Sequence, residues 1–485
     1  MGIIASQSIK NTIITYIGFG IGAINTLFLY TAFLSADYFG LVVFVLSTAN
    51  LMMPILIFGV NNTLIKFYSS YKTRRLQNNF LTFMLFLPLL FILPAGLLGS
   101  FFYESISNWL AKENEIIKDY TGLMYVLAVA FAYFEIFFSW SKIHFKSVFG
   151  NFMREAFHRV GTMLLLFAVY FKLLTVDYFI YAVTSIYIIR VFIMMVYAFS
   201  IRFPKITISK SFDYLTVLKY SFLIIIAGSV SMVLLDLDKF MIGELIEIEN
   251  IAYYSVAIFI ATVIVVPSRA MQQIVNPLTA SYLNNKDYKS LAQLYKKSSI
   301  NLFIIGGFIF VLIVININGL YALLNPEYSK GLFIVIIISI VKLIDNLLGN
   351  NNAIIFNSDY YRIILTFGFC IVFLAIALNY MLIPKYGIDG AAIASLITFL
   401  AYDTLKMWYV HLKFKMHPFS LKTVYTLGII SLLCFGFYFW EFPFHPIINI
   451  ALKSVLVALL YAFAVLKLSL SEEITSLIKK ILKIK

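Results

Sequence analysis

Long apolar runs broken by short polar connections make up almost the whole chain, and the length of the runs decides their meaning. A helix needs about 20 apolar residues to cross about 30 Å of hydrocarbon. By that measure fourteen runs are predicted to span: 11–33, 40–62, 80–103, 120–141, 160–174, 178–199, 220–242, 251–274, 299–323, 331–356, 363–383, 388–411, 423–440 and 446–466. The fifth is short and closely linked to the sixth, so twelve or thirteen spans are open as well. Pro54 and Pro267 sit at similar places in the second and eighth runs, 267 − 54 = 213 residues apart, which suggests two halves of similar plan. The expected fold class is all-α integral membrane, about fourteen transmembrane helices in two six-helix lobes plus two C-terminal helices. Its expected parts are an N-terminal lobe over 1–200, a cytoplasmic connector over 201–213, a C-terminal lobe over 214–411, and helices 13–14 with a basic tail over 412–485.

Composition agrees: of 485 residues 62% are hydrophobic and 12% charged, too little polar surface to coat a soluble globule. The net charge of +14 is spread over many short loops, which argues for membrane topology and against nucleic-acid binding. Loops after even-numbered runs carry Lys72, Arg74 and Arg75, then Lys142, Lys146, Arg154 and Arg159, then Arg202 and Lys205, then Lys286 and Lys289. Loops after odd-numbered runs are short and acidic, with Asp37, Glu104, Glu113, Glu115, Glu244 and Glu247. The basic loops are expected to be cytoplasmic, which puts both termini inside. The tail EEITSLIKKILKIK reads as a basic amphipathic helix on the anionic inner leaflet. Cys370 and Cys434 lie in separate apolar runs and read as packing residues, and the five histidines lack metal-ligand spacing, so no metal is expected. No glycine-rich phosphate loop ending in lysine appears, so neither ATP hydrolysis nor a cofactor is expected.

Charges inside the runs each ask for a partner, a hydrated cavity or an escape to the interface. Asp236 with Lys239, Lys342 with Asp345, and Asp403 with Lys406 have i, i+3 spacing and share a helix face. In the first pair's run, MVLLDLDKFMIG, Asp238 is left over on the opposite face. Glu135, Arg190 and Arg269 have no counter-charge within their own helices, so their partners lie elsewhere. Arg269 also follows Pro267, where a proline break frees carbonyls.

The stretch NYMLIPKYGIDGAAIASLI (379–397) reads as Pro384 ending helix eleven, with Gly387, Gly390 and three alanines letting helix twelve pack closely. Together with LSADYFGLVVFVLSTANLMMPILIFGVNNTLIKF (34–67) and DKFMIGELIEIENIAYYSVAIFIA (238–261), it closely resembles the polysaccharide transporter, or O-antigen flippase, family. That family shares a superfamily with multidrug and toxin extrusion pumps and lipid II flippases. One departure is Ala252, where family members often carry glycine ahead of the tyrosine that enters helix eight.

The resemblance implies a flippase of the bacterial inner membrane, not an enzyme, which moves a polyprenyl-diphosphate-linked oligosaccharide by alternating access. Its expected partners are that lipid-linked oligosaccharide, membrane lipids, and the polymerase and chain-length regulator of the same glycan pathway. Candidate head-group contacts are Arg190, Arg269, Glu135 and Lys342. A candidate coupling site for a sodium or proton gradient comprises Asp236, Asn379 and Thr398. The alternatives are a cation-coupled multidrug exporter of the same superfamily, which would want an acidic cavity, and a membrane polymerase or glycosyltransferase, which would want catalytic groups on a large outward loop.

Overall fold

The computed structural model describes residues 3–207, 212–360 and 362–476. The chain is all-helical, 86% helix, with no strand among the described residues. Among the described residues, ten helical stretches are long and apolar enough to cross a membrane, by length and composition. These ten stretches do not correspond one to one with the fourteen expected runs, because several helices break away from the expected boundaries.

The chain divides into two compact units. The first comprises Met1–Ala252 and Ile376–Gly387. Its helices are α1 (Ile3–Ala23, continued through a π turn at Ile24–Leu29), α2 (Ala36–Ile57), α3 (Val60–Phe67), α4 (Arg74–Phe86), α5 (Leu89–Phe101), α6 (Tyr103–Leu110), α7 (Thr121–Ile143), α8 (Ser147–Phe152), α9 (His158–Tyr170), α10 (Val176–Ile201) and α11 (Tyr214–Leu245). Between α8 and α9 a π turn, Met153–Phe157, keeps the path helical, so the short fifth run begins earlier than its apolar residues indicate. α2 packs on α7 and α11; Phe39, Phe44 and Val45 of α2 and Leu127, Phe134 and Trp140 of α7 are buried, and the Phe44 ring stacks on Phe240 of α11. Lipid is as apolar as leucine, so such helices are held by close van der Waals fit more than by burial from water. Asn114 fastens the loop after α11: its amide donates to the carbonyls of Gly243 (2.8 Å) and Ile246 (2.9 Å) and accepts from Ile248 N–H (2.8 Å).

The second unit comprises Tyr253–Ala375 and Ile388–Lys485. It is built from α12 (Glu249–Thr262, from Tyr253 on), α13 (Val266–Asn284), α14 (Tyr288–Tyr321), α15 (Leu332–Leu347), α16 (Asn351–Phe356), α17 (Arg362–Phe414, except Ile376–Gly387, which belongs to the first unit), α18 (Leu421–Tyr438) and α19 (Pro446–Lys467). Its core sets Ile304, Val311 and Ile315 of α14 against Ile430 of α18 and Val457 and Tyr461 of α19. Lys453, a lone charge in the last span, donates to the carbonyl of Ile315 at 2.6 Å. Asp213 and Asp287 cap α11 and α14 by accepting from Thr216 and Ser290 N–H at 3.1 and 3.0 Å. Hydrogen bonds from those two residues' side chains, then from their amides, hold both carboxyls below the ordinary value. The caps therefore stabilise at neutral pH and weaken as the medium is acidified.

Glycine positions, not prolines, mark several of the breaks. Pro54 stays inside α2, which stops at the left-handed pair Phe58 (φ 51°) and Gly59 (φ 68°). Pro384 likewise stays inside a helix and does not end helix eleven; the backbone leaves helical geometry three residues later at Gly387 (φ 58°, ψ −139°), a kink that divides α17 into the two expected spans. Pro267 falls in the first turn of α13, where its missing N–H leaves nothing unpaired, and the break precedes it at Val263–Val265. The tenth run divides at Gly349 (φ 57°) between α15 and α16. The amphipathic tail reading lies mostly outside the described residues, which end at residue 476.

Gly59 and Gly387 separate two kinds of constraint. A Cβ on Gly59 would lie 2.5 Å from the Ser221 carbonyl oxygen, whereas one on Gly387 meets nothing within 4 Å. Gly387→Ala should then carry backbone strain alone, about 1–3 kcal/mol, and Gly59→Ala should destabilise more. Thermal unfolding of the purified variants in detergent checks this; a smaller loss for Gly59→Ala would refute the close-approach argument.

Candidate functional site

The inner face of α7 repeats at helical spacing: Phe131, Phe134, Glu135, Phe138 and Lys142 fall on one side. Facing them are Arg154 in the π turn and Tyr187 and Arg190 on α10; beside these, Glu155 and Arg159 lie against Gly18 and Gly22 of α1, and His158 opens α9. Arg154 Nη2 lies 3.7 Å from Glu135 Oε1, and Arg159 Nη1 lies 3.7 Å from Glu155 Oε2. Lys142 Nζ sits 3.8 Å from the centroid of the Phe138 ring. π turns insert one extra residue per turn and are frequent at functional positions; here the turn aims Arg154 at α7.

Arg190 is 6% exposed, and its guanidinium stacks over Phe134 at 4.0 Å and Tyr187 at 4.7 Å. The Tyr187 ring also stacks on His158, centroids 5.4 Å apart. Arg190 Nε has no hydrogen-bond partner among the described residues. Aromatic faces stabilise a cation without cancelling its charge. Glu135 feels Arg154, Lys142 and Arg190 together. Among the described residues of the cluster, four cations (Lys142, Arg154, Arg159, Arg190) against two carboxylates (Glu135, Glu155) leave 4 − 2 = 2 positive charges in surplus.

Two of the residues singled out in the sequence, Glu135 and Arg190, thus belong to one cluster. Lys142, Arg154 and Arg159 were missed, because the positive-inside rule assigned all three to a cytoplasmic loop. The signal that could have found them is the shortness of the fifth run together with the Glu155–Arg159 i, i+4 pair. Arg269 and Lys342 lie in the second unit: Arg269 is exposed on α13, and Lys342 is buried on α15 with its ammonium 4.6 Å from the Phe399 centroid.

The remaining candidates fall into a different arrangement from the one expected. Asp236 pairs with Lys239 at 3.2 Å and accepts from the Ser47 hydroxyl at 3.2 Å. Asn379 Nδ2 donates at 2.8 Å to Asp238, the carboxylate left over in the sequence reading, and not to Asp236. Both residues of that bond are buried, Asp238 4% exposed and Asn379 0%. Thr398 lies in the second unit, buried, with its hydroxyl unpartnered among the described residues. The Asp403–Lys406 pair forms at 2.8 Å.

Asp236→Asn should destabilise the protein by about 1–3 kcal/mol by removing the charge that Lys239 faces. Adding Lys239→Gln should recover most of that loss. Thermal unfolding of the single and double variants measures it, and an additive double loss would show that the pair is not the reason Asp236 is charged.

No protein-family model matches the chain, and no curated protein matches it in sequence. Solved structures do match in fold. A lipid II flippase, MurJ, in an inward closed conformation aligns with a TM-score of 0.71 at 14% identity, covering 96% of this chain and 100% of that one. An inward-facing multidrug resistance MATE family transporter of the MOP superfamily gives 0.59 at 11% identity over 86% and 95%. A Vibrio cholerae MATE transporter gives 0.56 at 14% identity over 85% and 98%. The chain has the fold of these multi-pass membrane transporters over nearly its whole length.

Proposed function

We propose that the chain is a flippase that carries a polyprenyl-diphosphate-linked oligosaccharide across the bacterial inner membrane by alternating access, with both termini cytoplasmic. The observation that carries this reading is the positive surplus in the first unit, held on aromatic faces. A diphosphate joining a sugar to a lipid bears about two negative charges at neutral pH, and arginine meets phosphate oxygens with a planar fork. Binding without bond-making is all that transport requires, so no catalytic group is called for. The fold likeness to a lipid II flippase supports a lipid-linked substrate. A multidrug exporter is the second reading, favoured by the MATE likenesses; a cationic drug, however, would meet repulsion at Arg190.

In a strain deleted for the chromosomal gene, Arg190→Ala should lower glycan export at least about tenfold, equivalent to about 1.4 kcal/mol of lost binding. Complete lipid-linked repeat units should accumulate. Arg190→Lys should fall between, since it keeps charge without the fork. Normal export by an inserted Arg190→Ala protein would reject the diphosphate reading. Orientation is tested separately in a background with Cys370 and Cys434 replaced by serine. A cysteine at exposed Glu113 should react with an impermeant thiol reagent in intact cells, and one at exposed Lys72 should not; the reverse pattern overturns the topology.

A further inference from the structure

In the first unit a chain of hydrogen bonds ties together the ends of four helices. Arg202, which closes α10, donates through Nη1 to the Tyr68 hydroxyl oxygen at 2.5 Å and to Gln77 Oε1 at 2.8 Å, and through Nη2 to Asn78 Oδ1 at 2.8 Å. Gln77 and Asn78 belong to α4, and Tyr68 to the turn that follows α3. The Tyr68 hydroxyl lies 3.1 Å from Nε2 of His144, the residue that closes α7, and His144 Nδ1 lies 2.8 Å from the Trp140 carbonyl oxygen. The Tyr68 and His144 rings are also in contact, centroids 5.2 Å apart.

The direction of each bond follows from what each group can do. A guanidinium only donates and a carbonyl oxygen only accepts. The Trp140 carbonyl therefore requires the ring proton on His144 Nδ1, which leaves Nε2 of the neutral imidazole as an acceptor. Tyr68, whose oxygen accepts from Arg202, must give its own proton to Nε2. The chain runs one way, from Arg202 to Tyr68 to His144 to Trp140, and it fits the neutral imidazole alone. A second ring proton would sit on Nε2, opposite a hydroxyl whose proton has then lost its acceptor and whose oxygen already faces a guanidinium. The charges that act on the ring are both cations, Arg202 and Lys146, and Tyr68 is the titratable group in contact with it. Lys142, on α7 itself, lies over Phe138 instead. Gln77 and Asn78 of α4 are uncharged, as are Gln7 and Asn11 of α1, which donate to the Phe145 carbonyl and the Ser147 hydroxyl just beyond His144. Burial, followed by the two cations, holds the imidazole below its ordinary pKa, with the Trp140 carbonyl opposing.

We propose that the Arg202–Tyr68–His144 chain is a pH-sensitive latch, closed while His144 is neutral and opened when Nε2 takes up a proton. The proton comes from the medium and bonds to the Nε2 lone pair, leaving an imidazolium; no covalent bond breaks. Because the folded value lies below the unfolded one, the latch contributes its full stability above about pH 6.5 and loses it as the pH falls further. The helices it fastens are those that carry the cation cluster. α7 bears Glu135, Phe138 and Lys142, the last of them two residues before His144, and α10 bears Tyr187 and Arg190, the latter about three turns before Arg202. Opening the chain frees the ends of both. The latch follows from the bonds alone; its consequence, that acid in the cytoplasm slows export, rests on the flippase reading and its orientation.

Magnetic resonance of the purified protein with isotope-labelled histidines follows the titration, and His144→Gln identifies the resonance by removing it. Its midpoint should lie below about pH 6.5. Arg202→Gln, which removes a facing cation but keeps an amide donor, should raise the midpoint by at least about half a unit, and so should Tyr68→Phe, which removes the donor to Nε2. An unchanged midpoint in either variant overturns the chain. Amide hydrogen exchange reads the opening in the unaltered protein. Peptides covering 68–78 and 140–147 should exchange about tenfold faster at about pH 5.5 than at about pH 7.5, after correction for the intrinsic rate, in wild type and not in His144→Gln. No acceleration in wild type, or an equal one in His144→Gln, overturns the latch. In cells, a permeant weak acid that brings the cytoplasm to about pH 6 should lower glycan export severalfold in wild type and less in His144→Gln. Equal loss in both refutes the control of export by the latch. Absent export in wild type, alongside the expected titration and exchange, sinks the glycan reading while upholding the latch.

Discussion

A charge or an open carbonyl in hydrocarbon has no water to turn to, so each must be met by another part of the same protein. The breaks in the helices show how strictly this holds. Where the chain kinks before α13, the freed Ile264 carbonyl is taken by Asn346, and where α15 stops, the Leu347 carbonyl is taken by the Ser299 hydroxyl. Lys453 meets the Ile315 carbonyl, and Asp238 meets Asn379. These bonds fix which helices can be neighbours within a unit, because apolar contact in lipid gives little preference for one partner over another.

Cations within the membrane are answered in two ways, with different consequences. Lys239 and Lys406 lie against carboxylates at 3.2 and 2.8 Å and are neutralised where they stand. Arg190 lies against the faces of Phe134 and Tyr187, and Lys142 against Phe138. A ring quadrupole offsets part of the desolvation of a cation but leaves its net charge, so the field at Arg190 remains attractive to an anion. The aromatic content of the chain, which in sequence reads as membrane belt, is therefore also what keeps this cluster positive.

Run length and hydropathy made the helical class legible, since the spanning constraint acts on every residue of a run. Boundaries were less legible. A proline in lipid is tolerated when its neighbours satisfy the freed groups, and Pro54 and Pro384 both sit inside helices; positive-φ glycines at 59, 349 and 387 mark breaks instead. Glu135 and Arg190 could be found because an unpaired charge in an apolar run is visible. Arg154 and Arg159 were passed over, because a hydropathy window sees a π-turned, charged helix start as loop.

The partner of Asp238 was hidden for a related reason. Spacing along one helix identifies i, i+3 pairs such as Asp236–Lys239, but Asn379 lies 141 residues from Asp238 in sequence, and only packing within the first unit joins them. His144 carries the same lesson further. A histidine in a polar stretch after an apolar run looks like any loop residue. Only its bonds, one ring nitrogen on the Trp140 carbonyl and the other on Tyr68, 76 residues away in sequence, distinguish a switch from a turn, because a ring with both nitrogens engaged cannot take a further proton without losing a bond.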